Sequence, residues 1–317
     1  MGPVLFVLYI NDLPEVVEDM CSMYADDTKV YGPSEEHFKL QQDLDKLVNW
    51  ADEWQLRFNA GKCSTIHLGR NNKQNEYSMR IHNSDERVNL NSTKAEKDLG
   101  ILIDTELQFS QHTEVQVNKA NRILGMIRRS YEYIDCKSMK LLFTALVRPH
   151  LEFANCAWGP RLEKDKKLIE GVLRRATKCV PRLNRLEYED RLRAIGIPSM
   201  SYRRFRGDLI EIYKYTHGYY KCASPFEINN QGPTRGHNYK LRKPTVNTGL
   251  RQSFFTVRAV DTWNNLDLEI VNAENLNSFK NRIDRAFVSF MYSCSVNHPL
   301  VPPKPMPQAC HSVQLLD

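Results

Sequence analysis

Ser22-Met23-Tyr24-Ala25-Asp26-Asp27-Thr28-Lys29-Val30-Tyr31 sets two adjacent carboxylates among β-prone residues, and Gly32-Pro33 closes the run. Met23, Tyr24, Val30 and Tyr31 favour strands, and Ala25-Asp26-Asp27-Thr28 suits a hairpin tip. In an unbroken strand, neighbouring side chains point to opposite faces, so Asp26 and Asp27 could not share a ligand. At a tight turn the alternation breaks, and both carboxylates can approach one cation. A hard divalent ion such as Mg²⁺ takes oxygen ligands and keeps room for substrate phosphates. The segment fits half of a two-metal phosphoryl-transfer site, with ions roughly 3.5–4 Å apart. An Asp-Asp pair in a turn is also ordinary turn chemistry, so the flanking sequence has to decide.

Just upstream runs Gly2-Pro3-Val4-Leu5-Phe6-Val7-Leu8-Tyr9-Ile10-Asn11-Asp12-Leu13-Pro14. Together the two segments resemble the reverse transcriptases of non-LTR (LINE, jockey-like) retrotransposons. In that family a Gly-Pro-x-Leu-Phe-x-x-Tyr-Ile-Asn-Asp-Leu run leads into Tyr-Ala-Asp-Asp. The resemblance extends from residue 2 to about 290. Further blocks are Arg148-Pro149-His150-Leu151-Glu152-Phe153-Ala154, Ala157-Trp158, Phe254-Phe255-x-x-Arg258, Trp263-Asn264 and Asn277-Ser278-Phe279-Lys280.

The resemblance implies an RNA-directed DNA polymerase that adds deoxynucleotides to a primer 3′ end on an RNA template. Asp26 and Asp27 would be its catalytic metal ligands, with Mg²⁺ or Mn²⁺ as the cofactor of the parent enzyme. Lys62, in Asn59-Ala60-Gly61-Lys62-Cys63, would protonate or neutralise the pyrophosphate leaving group. Lys97-Asp98-Leu99-Gly100 resembles the family's primer-grip hairpin, and Tyr24, Leu99 and Gly100 would meet the primer or template. Read by itself, Gly100 suits close backbone approach in a strand, or a bulge. The family also places a partner aspartate and the nucleotide-binding fingers upstream of the point where this sequence begins. The expectation is therefore a polypeptide inactive alone, because phosphoryl transfer depends on positioning and metal charge.

Charge distribution adds a second expectation. Residues 1–60 hold 4 Lys+Arg against 12 Asp+Glu, whereas residues 119–214 hold 22 against 11. One part gathers cations and another suits a polyanion. Lys119, Arg122, Arg128 and Arg129 lie off the apolar face formed by Val117, Ala120, Leu124, Ile127 and Tyr131. Arg174 and Arg175 lie in a basic segment over 161–180, and Arg203, Arg204 and Arg206 in another over 199–217. Such helices suit contact with a nucleic-acid backbone, which carries affinity but no sequence information. The alternative function is a non-catalytic nucleic-acid-binding remnant using the helices of 119–214.

The expected fold class is α+β: a truncated polymerase palm, an antiparallel sheet with packed helices, followed by an all-α thumb and helical extension. The expected divisions are a palm remnant over 1–70, a primer-grip-like β segment over 71–108, a basic helical thumb or connection over 109–220, a small helical region over 221–294 and a disordered tail over 295–317. Val4–Ile10 reads as a buried helix ending near Pro14. Ser34 reads as the N-cap of a helix whose stripe is Leu40, Leu44, Leu47, Ala51, Trp54 and Phe58, packed on the carboxylate-bearing strands. Pro149 must kink or end a turn within a helix over about 138–153. No apolar run reaches the roughly 20 residues of a membrane span. Eight scattered cysteines without a Cys-x-x-Cys pair suit a reducing compartment, hence an intracellular protein of nucleus and/or cytoplasm. Cys294, His298, Cys310 and His311 match no standard zinc-finger spacing.

Overall fold

A computed structural model describes residues 1–81, 84–229 and 236–293. The expected tail over 295–317 and the Cys294, His298, Cys310 and His311 group lie outside the described residues. The chain is a mixture of helices and small sheets, in two compact units, Met1–Leu107 and Gln108–Asp317.

In the first unit, α1 (Gly2–Tyr9) precedes the hairpin of β1 (Met20–Tyr24) and β2 (Asp27–Tyr31), and α2 (His37–Glu53) follows. Six short strands complete it: β3 (Ser64–Ile66), β4 (Ser78–Arg80), β5 (Arg87–Asn89), β6 (Asn91–Thr93), β7 (Ala95–Asp98) and β8 (Ile101–Asp104). Among the described residues they pair as four two-stranded sheets, β1 with β2, β3 with β6, β4 with β5 and β7 with β8; only β3–β6 is parallel.

Alternation along the carboxylate hairpin explains its packing. Cys21 pairs with Val30 and Met23 with Thr28, so these side chains share the inner face. Met23 and Val30 pack on a core of Ile10, Leu13, Leu47, Trp50 and Ala51, so the α2 stripe does lie on the hairpin. The stripe is rotated from its expected position: Trp50 is buried, whereas Trp54 is exposed.

Two local expectations fail. Ser34 does not cap α2; its hydroxyl donates to Glu35 Oε1 (3.2 Å), and a 3₁₀ turn over Ser34–Glu36 intervenes before the helix. Helix α1 is not buried: Val4 and Leu8 are 63% and 69% exposed. Its residues are apolar all round, so no single face marks an inner side. Its C-terminal end is tied down by Tyr9 Oη donating to Trp54 O (2.5 Å) and by an edge-on Tyr9–Trp54 contact.

The second unit is helical. Its first helices are α3 (Ser110–Ser130), α4 (Cys136–Leu142), α5 (Arg148–Glu152), α6 (Asn155–Trp158), α7 (Glu163–Thr177), α8 (Tyr188–Ile195) and α9 (Met200–Thr216). Pro149 has no N–H to continue the helical ladder, and a π-helical turn over Phe143–Val147 joins α4 to α5 just before it. In α3, Val117, Ala120, Leu124 and Ile127 are buried as expected, but Tyr131 is 49% exposed, because it lies past the helix end in extended backbone.

Short helices over residues 249–291 wrap α9, the longest being α10 (Leu276–Ala286). Tyr202, Leu209 and Tyr213 of α9 pack with Val260, Trp263, Phe279, Ile283 and Phe287. Tyr213 stacks on Phe279 at 4.2 Å. The Phe254–Lys280 block thus supplies one side of the core whose other side is α9.

Candidate active site

Hairpin β1–β2 closes through a two-residue tip, Ala25-Asp26, with Tyr24 opposite Asp27. Ala25 takes φ +54°, a left-handed conformation that costs a residue with a Cβ about 1 kcal/mol or more. The tip breaks the strand alternation, as the paired carboxylates require. Asp26 and Asp27 are both exposed, and among the described residues neither carboxylate makes a hydrogen bond or ion pair. Asp27 shares the outer face of the hairpin with Tyr24, Ser22 and Lys29.

Lys29, the cation on that face, is ion-paired to Asp98 at the end of β7. It therefore leaves the carboxylate oxygens open to an external cation. Two adjacent, unengaged carboxylates fit an oxygen-seeking divalent ion that completes its shell with water and phosphate. Among the described residues, no group of three or more His, Cys, Asp or Glu is arranged to hold a metal, so Asp26 and Asp27 have no third protein ligand here.

What steadies the hairpin is a residue that sequence reading passed over. Asp43 of α2 is fully buried and accepts from the backbone N–H of Glu18 (3.1 and 3.0 Å) and of Asp19 (2.7 Å), at the entry to β1. Lys46 Nζ donates to it at 3.0 Å. Burial pushes the Asp43 carboxyl upward, but the two backbone donors and Lys46 outweigh it and hold the group below its ordinary value. The signal was available: Asp43 falls three residues after Leu40, on the apolar stripe of its own helix.

Asp19 beside it pairs with Lys39 at 3.2 Å and approaches Gly32 so closely that a Cβ there would lie 2.7 Å from Asp19 Oδ2. A side chain at position 32 would therefore force the Asp19 carboxylate to shift.

Asp43→Ala is expected to cost about 3 kcal/mol, since it strands buried backbone donors. A folded pKa below the unfolded one gives stability that is complete above about pH 4. It is lost as pH falls through the folded value. Urea denaturation followed by tryptophan fluorescence at about pH 7 and about pH 3 should show that acid loss in the parent chain and a smaller one in Asp43→Asn. Equal acid loss in both would refute Asp43 as its source.

Leu99 and Gly100 form the tip between β7 and β8, with φ +43° and +90°. The strand-interior reading of Gly100 is corrected: two consecutive positive φ values define a tight hairpin turn, and glycine is there to adopt one of them. Asp98, one residue before this tip, is the partner of Lys29, so one ion pair ties the carboxylate hairpin to the Leu-Gly hairpin. Glu96 of β7 in turn accepts from Ser64 Oγ (2.9 Å) on β3, the strand that follows Lys62. Lys62 is exposed on a 3₁₀ turn over Ala60–Lys62, and among the described residues its ammonium group makes no ion pair or hydrogen bond, with Asp26 and Asp27 or any other.

In the helical unit, Lys119, Arg122, Arg128 and Arg129 are exposed on α3, and Arg174 and Arg175 on α7. The two helices pack together, and Arg175 donates to Asn121 Oδ1 at 3.1 and 2.8 Å. Arg174 lies over the Tyr188 ring at 4.2 Å. The basic segment over 199–217 behaves differently. Arg203 and Arg206 form bidentate pairs with Glu152 and Asp284, and Arg204 is buried, so these side chains do not form an outward grip.

Residues 1–125 match the family model of the reverse transcriptases (RNA-dependent DNA polymerases). The chain is similar to the RNA-directed DNA polymerase from mobile element jockey of Drosophila melanogaster, 32% identical over 201 residues, covering 55% of this chain and 21% of that protein. The jockey polymerase of Drosophila funebris is 27% identical over 194 residues, with the same two shares covered. A probable RNA-directed DNA polymerase from transposon X-element of Drosophila melanogaster is 23% identical over 198 residues, 57% of this chain and 21% of that protein. The matched region thus spans about a fifth of the length of these curated relatives. No solved structure matches the chain.

Proposed function

We propose, for a chain that over residues 1–125 belongs to the reverse transcriptase family of non-LTR retrotransposons, that it serves RNA-directed DNA synthesis with Asp26 and Asp27 as the ligands of the catalytic divalent ions. The observation that carries this reading is the pair of exposed, unengaged carboxylates on a hairpin tip braced from behind by buried Asp43. Asp26 and Asp27 would hold Mg²⁺ or Mn²⁺, whose charge offsets that of the transferring phosphates. Exposed Lys62 has an unengaged ammonium to set against the pyrophosphate. The Leu99-Gly100 tip offers backbone to a primer, and Tyr24 shares the face of Asp27.

On this reading the first unit is palm-like and the helices after it thumb-like. The partners are an RNA template and a DNA primer, or their duplex, in the nucleus or cytoplasm. Primer extension with and without Asp26→Ala tests it. Residues 1–317 as they stand should extend no primer, since no third protein ligand joins the pair among the described residues. Mg²⁺- or Mn²⁺-dependent incorporation by this polypeptide, abolished in Asp26→Ala, would overturn that last statement while supporting the metal role.

A second reading, nucleic-acid binding without catalysis, is favoured by the packing of α3 on α7, which sets two rows of exposed basic residues on adjoining helices. Arg174→Ala and Arg175→Ala should each weaken binding to a primer–template duplex and reduce the salt slope by about 0.9 for each phosphate contact removed. Asp26→Ala should leave this binding unchanged. Filter binding at several salt concentrations decides it: slopes equal to that of the parent chain would exclude these two residues from the contact.

A further inference from the structure

Helices α3 and α7 run in the same direction. Ser110, at the start of α3, donates to Asp165 near the start of α7 at 2.6 Å, and farther along both helices Arg175 donates to Asn121. Their rows of exposed cations therefore finish at the same end, where Arg128 and Arg129 stand on the last turn of α3. There the chain leaves the helix as Tyr131-Glu132-Tyr133-Ile134-Asp135 and enters α4. Tyr131 is 49% exposed and Tyr133 60%. Among the described residues neither side chain makes a hydrogen bond, a ring contact or a cation–π contact. The other exposed tyrosines described in this unit differ: Tyr219 packs on Tyr213 at 6.0 Å and Tyr220 on Tyr215 at 4.7 Å.

The segment that carries the two free rings is held at both ends. Tyr131 continues directly from α3 in extended backbone. Ile134 is buried, and Asp135 caps α4 by accepting the Ser138 N–H at 2.7 Å. The rings thus project from an anchored backbone, and a tyrosine has few rotatable bonds to immobilise on binding. Charge around them is positive. Arg128, Arg129, Lys137 and Lys140 are exposed, and Asp135 is committed to the cap, which leaves Glu132 as the exposed acid of the segment.

Lysine and arginine hold phosphates whether a strand is paired or not. A tyrosine ring stacks only on a base that is not already enclosed in a duplex. A protein partner for two exposed rings would call for apolar neighbours, whereas Arg129, Glu132 and Lys137, which flank them in the chain, are charged. We propose, building on the nucleic-acid contact of α3 and α7, that Tyr131 and Tyr133 stack on the bases of a single-stranded extension beside the duplex held by those helices. Arg128 and Arg129 meet the phosphates at the junction, and the rings take unpaired bases beyond it.

The test is fluorescence anisotropy of residues 1–317 with labelled RNA–DNA duplexes of three kinds: blunt, with an unpaired overhang of about five nucleotides, and with the same overhang made abasic. The abasic overhang keeps the phosphates and lacks the bases. The parent chain should bind the base-bearing overhang about fivefold or more tighter than the abasic one. Tyr131→Ala combined with Tyr133→Ala should abolish that preference and leave blunt-duplex affinity as in the parent. Tyr131→Phe with Tyr133→Phe should keep the preference, whereas Tyr131→Leu with Tyr133→Leu should lose most of it, which separates stacking from apolar contact.

Arg174→Ala and Arg175→Ala should weaken binding of all three duplexes alike. Equal affinity of the parent for the base-bearing and abasic overhangs would overturn the stacking and leave the rings to a protein surface, while the duplex contact stands if the arginine variants still weaken it. A preference that survives Tyr131→Ala with Tyr133→Ala would overturn it too, by placing the bases elsewhere. Absence of binding to any of the three would remove the stacking and the duplex contact together.

Discussion

Arg258→Ala is expected to destabilise the helical unit by about 3–5 kcal/mol, the range for breaking a buried ion pair from one side. The guanidinium donates Nε to Asp208 Oδ2 and Nη2 to Oδ1, each at 2.8 Å, and also reaches Ser253 O (3.0 Å) and Asn155 O (3.1 Å). Three separate segments, the start of α6, the middle of α9 and the Phe254–Arg258 turn, thus meet on one side chain. Burial disfavours the charge on Arg258, but Asp208 more than compensates. Without Arg258, Asp208, itself 7% exposed, would retain Asn155 Nδ2 at 3.2 Å and the weak Cys156 thiol donor at 3.8 Å. That is too little for a buried carboxylate.

Arg258→Lys should restore only part of the loss, because an ammonium cannot reproduce the two-pronged fork. Replacing both partners by apolar residues should cost less than Arg258→Ala alone, since no stranded charge remains. Chemical denaturation of the three variants measures each term. A loss below about 1 kcal/mol for Arg258→Ala would show that the pair adds no more than a surface salt bridge does.

The contrast between Arg258 and Asp26 shows what a sequence makes legible. The carboxylate hairpin is written locally: an Asp-Asp turn, β-prone flanks and a Gly-Pro stop within about a dozen residues, so short-range chemistry suffices. The α2 stripe is likewise periodic, and only its rotation was misjudged. Arg258 and Asp208 are joined across 50 residues, and nothing in either neighbourhood announces the other. Burial of charge was the common blind spot. Asp43, Arg204 and Asp208 all lie in amphipathic helices, where a charged letter reads as the wet face, and the basic count over 199–217 took Arg203 and Arg206 for surface when both are tied to carboxylates. The opposite error befell α1, whose apolar letters imply burial although no element of its unit covers it. Periodicity reports a face only when the faces differ.

Asp26→Ala is expected to lower nucleotide incorporation about a thousandfold, or ~4 kcal/mol of transition-state stabilisation, in any polypeptide where these residues are joined to a segment that supplies the partner aspartate. The size follows from the geometry. Asp26 occupies the turn itself and Asp27 the first position of β2, so loss of one carboxylate leaves a single protein ligand at the tip. Among the described residues neither carboxylate has another engagement to compensate for loss of its neighbour. Since phosphoryl transfer draws nearly all its acceleration from placement and charge, loss of one ligand acts on the rate and leaves duplex binding intact. Asp26→Asn separates charge from shape, because the amide keeps the volume and one oxygen acceptor but loses the negative charge; it should be almost as slow as Asp26→Ala. Duplex affinity measured on the same samples should not move, since the basic face of α3 and α7 lies in the other unit. Incorporation within about tenfold of the parent for Asp26→Ala, with Mg²⁺ at saturation, would remove Asp26 from the metal site and leave nucleic-acid binding as the function to pursue.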